Sequence, residues 1–328
     1  MNRQTLPASR LEYIDLLKAF TIFCVLWGHV IQQFDNGLDW FHCTQNPVFA
    51  FIYSFHMPLF FMVSGFFFKS SLRLNLAEFL KKKGLQLLLP WFVWCIFIYI
   101  WDNRGGNLLR GGNLPRLLGD VFYNAGWYWF LREMFLSCLL AWLGYKIFKK
   151  GWLAAPVLIC LVLVAPHFFF RWQRVYFPVF LFGILLKEKH EWLTKHLTAI
   201  LCASLAIFVV CLFFWDAYFY DFAPDMFAAA TWSMPVPQIT LYLRRMLIGI
   251  AASLFFFTLC QKFYRPHRAL LALSRTGTYT MEIYILQVFL LEHILTALVD
   301  FPAMNVWLYS LALAIPAAAV LMVLELGI

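Results

Sequence analysis

Charge is what this sequence has least of. Asp, Glu, Lys and Arg make up 13% of its 328 residues, while 63% are hydrophobic. Soluble domains carry about 25% charged and about 45–50% apolar residues, so a water-soluble globule is excluded. The mean hydropathy of +0.73 says the same. The phosphate loops GxxxxGK[ST] and GxGxxG are missing, which argues against ATP-driven transport. HExxH, GxSxG and zinc-type ligand spacings are missing too, so no metal is expected. Cys24, Cys43, Cys95, Cys138, Cys160, Cys202, Cys211 and Cys260 form no CxxC pair. They fall almost entirely inside apolar runs and read as small core hydrophobes, not as a disulfide frame or a zinc site. The first apolar segment lacks a small-residue cleavage site, so no cleavable signal peptide is expected. Internal repeats, low-complexity tracts and a loop able to hold a soluble domain are also lacking.

What is present is a succession of apolar runs. A bilayer core of about 30 Å needs roughly 17–25 apolar residues per helix. Runs of about this length fall near 13–33, 46–68, 85–101, 128–147, 152–169, 173–187, 196–215, 239–261, 277–298 and 303–326. The expected fold is therefore all-α, a polytopic membrane bundle of about ten transmembrane helices. With 37 Phe, 14 Trp and 14 Tyr, the chain has ample material for interfacial aromatic belts.

The basic residues alternate along the chain. Arg3 and Arg10 precede the first run. Lys69, Arg73, Lys81, Lys82 and Lys83 fall in the second connection, and Lys146, Lys149 and Lys150 in the fourth. Lys187, Lys189 and Lys195 fall in the sixth, and Lys262, Arg265, Arg268 and Arg275 in the eighth. Residues 34–45 and 216–238 hold no Lys or Arg but carry Asp35, Asp39, Asp216, Asp221 and Asp225. By the positive-inside rule the even connections and both termini are expected in the cytoplasm. The net charge of +9 thus tracks topology and does not call for nucleic acid. Connection 102–127, with Arg104, Arg110 and Arg116, breaks the rule. It reads either as a lid or acceptor-binding element, or as a loop without a role.

Against this apolar background a few ionisable residues stand out, since each costs at least about 2–3 kcal/mol in hydrocarbon unless paired or facing a polar cavity. The first run carries Asp15, Lys18 and His29. On a helix Lys18 and His29 return to within roughly 20° of one another and lie roughly 16 Å apart along the axis. Asp15 lies one turn before Lys18 and borders the same stripe. Asp15 and Lys18 read either as an interfacial pair or as part of a site; His29 is too deep to snorkel. The second run adds His56, able either to meet the first helix or to bond a carbonyl, and Pro58, which frees a carbonyl. Ser64 and Gly65 suit close helix approach.

In the fourth run Arg132 and Glu133 follow an aromatic belt, near the expected depth of His29, where a carboxylate would orient an imidazole. Adjacent residues point about 100° apart, so each of the two is expected to need another partner. Arg244 and Arg245 have a similar outer placement. Lys81, Lys82 and Lys83 read as inside-facing anchors or as phosphate contacts. His-centred acid–base or acyl-transfer chemistry is what these residues can support.

Several stretches together resemble the acyltransferase-3 family of bacterial integral membrane proteins. The first is Arg10, Asp15, Lys18 and, eleven residues on, His29. The second is Phe55-His-Met-Pro-Leu-Phe-Phe-Met-Val-Ser-Gly-Phe66, similar to the branch related to sugar O-acetyltransferases. The third, Phe79-Leu-Lys-Lys-Lys-Gly-Leu-Gln-Leu-Leu-Leu-Pro90, resembles a basic R-x-x-R element before a proline, with Lys83 and Gln86 at the two basic positions. Trp129-Phe-Leu, Phe182-Gly-Ile and Tyr279-Thr-Met-Glu-Ile-Tyr284 are weaker landmarks. Gln287 stands where many relatives place a His. The resemblance implies one acyltransferase domain over 1–328, in a bacterial inner membrane. It implies transfer of an acyl group, usually acetyl, from cytoplasmic acyl-CoA to a hydroxyl of an envelope glycan or glycolipid. His29 would be base or acyl carrier, with Asp15 and Glu133 beside it in the catalytic set. Arg10, Lys18, His56, Lys82, Lys83 and Arg132 are expected at the donor and substrate. The competing reading is a transporter or flippase for a lipid-linked sugar, with the same residues lining a passage.

Overall fold

A computed structural model of the chain describes residues 11–35, 43, 46–102, 119, 128–148, 151–164, 170, 172–215, 236–295 and 308–327. Arg10 and nearly all of connection 102–127 lie outside the described residues, as do most of the acidic connections. Among the described residues every regular element is a helix, and there is no strand.

Helix α1 runs Glu12–Asp35 and α2 Pro47–Phe67. Asn46 starts α2 because its side chain accepts from the backbone N–H of Val48 and Phe49, with Pro47 at the first helical position, where a missing N–H costs nothing. A 3₁₀ turn, Phe68–Arg73, leads to α3, Leu76–Lys83. Asn75 and Glu78 cap α3 reciprocally, each bonding the other's backbone N–H. A π-helical stretch, Gly84–Leu88, joins α3 to α4, Leu89–Asp102. Then come α5 Trp129–Phe148, α6 Gly151–Val164, α7 Gln173–Glu188, α8 His190–Lys195 and α9 Leu197–Phe213. The chain continues through α10 Val236–Phe263, α11 Arg268–Thr276 and α12 Thr280–Phe289, which runs on as a π-helical stretch Leu290–Leu295. A last π-helical stretch, Leu308–Leu313, opens into α13, Ala314–Gly327.

Helix lies within each of the ten apolar runs. Among the described residues four stretches are both long and apolar enough to cross a bilayer: Glu12–Gln33, Pro47–Arg73, Leu76–Trp101 and Thr240–Phe263. Leu197–Phe213, Thr280–Phe289 and Ser310–Leu324 are shorter apolar helices. The basic connections are less loop-like than their polar sequence suggests. The second, sixth and eighth hold the short helices α3, α8 and α11. The polar face of such a helix stays solvated while its apolar residues dock, as buried Phe79 does in α3. Along the stretch from α3 to α4, Leu85, Leu89, Val93, Phe97 and Ile100 are all exposed, an outward apolar row suited to lipid.

Helix α1 is the centre of the bundle, touching α2, α10, α11, α12 and α13. A close crossing joins α2 to α7. A Cβ added at Gly65 would run into the Phe180 carbonyl, and one at Gly183 into that of Met62, so the two backbones meet directly. Gly277, between α11 and α12, lies in the same way against the Asp15 backbone of α1. At this end Tyr13 and His190 Nε2 are 3.3 Å apart. Burial, and next the Lys187 charge, hold the His190 imidazole below its ordinary pKa, so the neutral ring accepts from the Tyr13 hydroxyl.

Candidate active site

A cavity of about 310 Å³ opens between α1, α2, α5, α12 and the π-helical stretch before α4. Its polar end is Lys18, Lys83 and Gln86, with Phe67 and Phe68 beside them; its interior is apolar, with Val25, Met57, Phe60, Phe130 and Met134. A long apolar recess with a cationic rim suits a ligand with an anionic head and a neutral arm. On α1 the lining residues are Lys18, Ile22 and Val25, at intervals of four and three. The next position on this stripe is His29, one turn beyond Val25.

His29 is half-buried and His56 fully buried, and the two imidazoles are near enough to interact electrostatically. The surrounding packing is tight. A Cβ on Gly28 would lie 2.8 Å from the Tyr53 ring. Tyr53 donates to Gln32 Oε1 at 3.0 Å and meets the His56 ring edge-to-face at 4.5 Å. His56 Nδ1 lies 2.8 Å from the Ile52 carbonyl, which can only accept, so Nδ1 carries a proton and Nε2 of the neutral ring does not. His56 therefore both bonds a carbonyl and stands beside the first helix.

Lys18 Nζ is 3.4 Å from Asp15 Oδ1 and lies over the Phe67 ring at 5.4 Å. The ion pair and the cavity wall are thus compatible tasks for one side chain. Lys83 donates to Gln86 Oε1 at 3.3 Å, and both line the cavity, whereas Lys82 is exposed and outside the lining. Lys83, Gln86 and Leu87, at i, i+3 and i+4, share the cavity side.

The expectation that Arg132 and Glu133 do not neutralise one another is overturned. Arg132 donates to Glu133 Oε1 from Nε at 3.0 Å and from Nη2 at 2.8 Å. The Arg side chain is long enough to fold back across the 100° between neighbours, which Cβ directions alone do not show. The other carboxylate oxygen accepts from Gln173 Nε2 at 2.7 Å, and Gln173 Oε1 in turn accepts from Ser137 at 2.8 Å. This chain of bonds ties α5 to α7. Glu133 is therefore engaged by Arg132 and Gln173, not by His29. Arg245 Nη2 is 3.4 Å from the Tyr176 hydroxyl, and Arg244 bonds the Phe214 carbonyl. Pro58 faces Gly249, whose Cβ would lie 3.1 Å from the proline ring; close approach accommodates this proline.

Thr280, Met281 and Tyr284 of α12 also line the cavity, although the sequence showed them only as part of a landmark. Phe60, Phe130 and Met134 read there as ordinary apolar residues, and only the packing of three helices makes them one wall.

A membrane-type helical bundle with a lysine-rimmed recess whose α1 wall ends one turn before a histidine is the class that fold and site define. The chain belongs to the acyltransferase-3 family: the family model, an acyltransferase domain, matches residues 11–326. Among curated proteins it is similar to Nodulation protein NolL of Sinorhizobium fredii, 27% identical over 220 residues, 63% of this chain and 58% of that protein. It is also similar to Nodulation protein NolL of Mesorhizobium japonicum, 33% identical over 129 residues, 38% of this chain and 34% of the relative. The matched stretches thus span at most 58% of the length of these relatives. No solved structure matches the chain.

Proposed function

We propose that this membrane protein moves an acyl group, acetyl in the first instance, from cytoplasmic acyl-CoA to a hydroxyl of a cell-envelope carbohydrate or glycolipid in a bacterial inner membrane. The observation that carries the reading is the cavity itself. It begins at Lys18 and Lys83 and its α1 wall ends at Val25, one turn short of His29, in a member of an acyltransferase family. The lysines match the phosphates of the donor, and the apolar recess matches its pantetheine arm. The thioester then reaches the level of His29, which takes the proton of the acceptor hydroxyl or carries the acyl group in passing. His56 stands beside it with an unprotonated Nε2, and Asp15 holds Lys18 at the rim. Arg10 belongs to the same end by sequence. Lys82, being exposed, has at most a long-range part, and Arg132 and Glu133 hold the α5–α7 wall in place.

The test has two parts. Purified protein titrated with acetyl-CoA in a calorimeter should bind it; a transporter of lipid-linked sugar has no need to. Mass analysis of surface glycans from cells with and without the protein should show an acyl mass that disappears with it. Absence of both results removes the proposal.

A further inference from the structure

The recess ends short of His29, and the packing of α1 on α2 shows what ends it. Lys18 lies over the Phe67 ring, while Gly28 lies against Ile52 and Tyr53, so the two helices run in opposite directions. Among the lining residues of α2, Phe67 and Ser64 are thus at the lysine rim and Met57 is the farthest from it. On α1 the farthest is Val25. Side chains on a helix lean toward its N-terminus. His29 therefore leans back toward the turn of Val25, and Met57 leans the other way, toward the level of Gly28. Met57 is 6% exposed and directly follows His56, whose ring is near enough to His29 to interact with it. On α5, Phe130 sits at the level of Phe60 and Tyr284, with ring distances of 5.8 and 5.3 Å. Cys138, two turns on, is near enough to Lys83 to feel its charge, so Met134 between them lines the middle of the recess.

Two properties of this inner end bear on the acyl group. It is apolar: Val25, Met57 and Phe130 bring no hydrogen-bonding side-chain group, and the cations Lys18 and Lys83 are at the other end. A carboxylate carried on the acyl chain would be buried there without a partner, at a cost that excludes it. The recess is also short of space. Its volume of about 310 Å³ is near the bottom of the range of about 300–1,000 Å³ for ligand pockets, and the arm of the donor takes most of it. What is left for the acyl chain is decided by the side chain at the end, and the unbranched thioether of Met57 yields to a small group only. We propose that Met57 sets the acyl length: it meets the far end of the acyl group, admits acetyl and excludes longer chains, at an inner end that also excludes a charged acyl group. The inference rests on the acyl-CoA reading above and adds to it the residue that selects the donor.

The experiment titrates purified full-length wild type, Met57→Ala and Met134→Ala with acetyl-CoA, butyryl-CoA and succinyl-CoA in a calorimeter. Met134 is the control, a second methionine of the same wall, one turn nearer the rim than Phe130. A methylene too many in an apolar pocket costs about 10–200-fold, so wild type should bind acetyl-CoA at least about tenfold more tightly than butyryl-CoA. Met57→Ala removes about three heavy atoms at the inner end and should bring the two affinities within about twofold of each other. Met134→Ala should weaken both and keep the wild-type ratio. Succinyl-CoA should bind weakly to all three proteins. Met57→Val, a milder truncation, should give an intermediate ratio and carries the test if Met57→Ala does not fold. A wild-type ratio in both Met57 variants overturns the proposal. So does an equal shift in Met134→Ala, which would make the recess uniformly elastic. Wild type that binds butyryl-CoA or succinyl-CoA as tightly as acetyl-CoA overturns it too, and leaves the donor reading standing. If wild type binds none of the three, the donor reading falls and this inference falls with it.

Discussion

Ser137, Gln173 and Glu133 form a buried chain that ends at the part-exposed Arg132, and each side chain has a partner, whereas Gln287, on α12, has none among the described residues. Both clusters are polar groups inside an apolar bundle. The first is engaged: Glu133 accepts from Arg132 and Gln173, Gln173 accepts from Ser137, and the result is a fixed distance between α5 and α7. The second has a donor and an acceptor left over among the described residues. A satisfied buried network specifies geometry, while an unsatisfied group does not. The two lysines differ as well. Lys83 lines the recess and Lys82 does not, though they are neighbours in sequence.

The sharpest break of this comparison is His29→Ala. It should lower acyl transfer by about 10²–10⁴-fold or more, measured in membranes, with the protein still inserted and its melting temperature little changed. Next in size is Gly183→Ala, where the new methyl meets the Met62 carbonyl. It should destabilise by about 3 kcal/mol in thermal unfolding, because two backbones in contact cannot both stay in place. Glu133→Ala follows. Removing the shared acceptor leaves the buried part of Arg132 without its carboxylate, while Gln173 keeps the residue-133 backbone carbonyl at 2.7 Å and Ser137. It should cost about 1–2 kcal/mol, with activity per folded molecule retained. Loss of activity without loss of stability would give Glu133 a task beyond joining the two helices. The smallest effect expected is that of Lys83→Ala, about fivefold weaker acetyl-CoA binding at low salt, against no change for Lys82→Ala. Equal effects for the two lysines would mean that the rim is a diffuse charge and not a contact.

Much of this was legible from residues alone. The apolar runs announced helices, and the stripe joining Lys18 to His29 follows from the helical repeat; Ile22 and Val25 fill it in the cavity wall. Gly65 was readable as a close-approach position, and the structure supplies its counterpart, Gly183. Other features were not legible. Arg132 folding back onto Glu133 depends on rotamers and on Gln173, 40 positions away. The division of labour between Lys82 and Lys83, both in α3, depends on which face of that helix meets the cavity, which hydropathy does not signal. Gln287 drew attention in the sequence as a departure from a family pattern, but its isolation became visible only once its surroundings were in place.

The sequence by itself determined what is periodic: which stretches are helical, which connections are basic, and which residues of α1 share a face. It could do so because those properties depend on near neighbours and on the partition of side chains between water and lipid. Only the tertiary structure decided which polar groups find partners and which line a cavity. That outcome depends on distances between helices far apart in the chain, and a hydrogen bond is made or lost within a few tenths of an ångström.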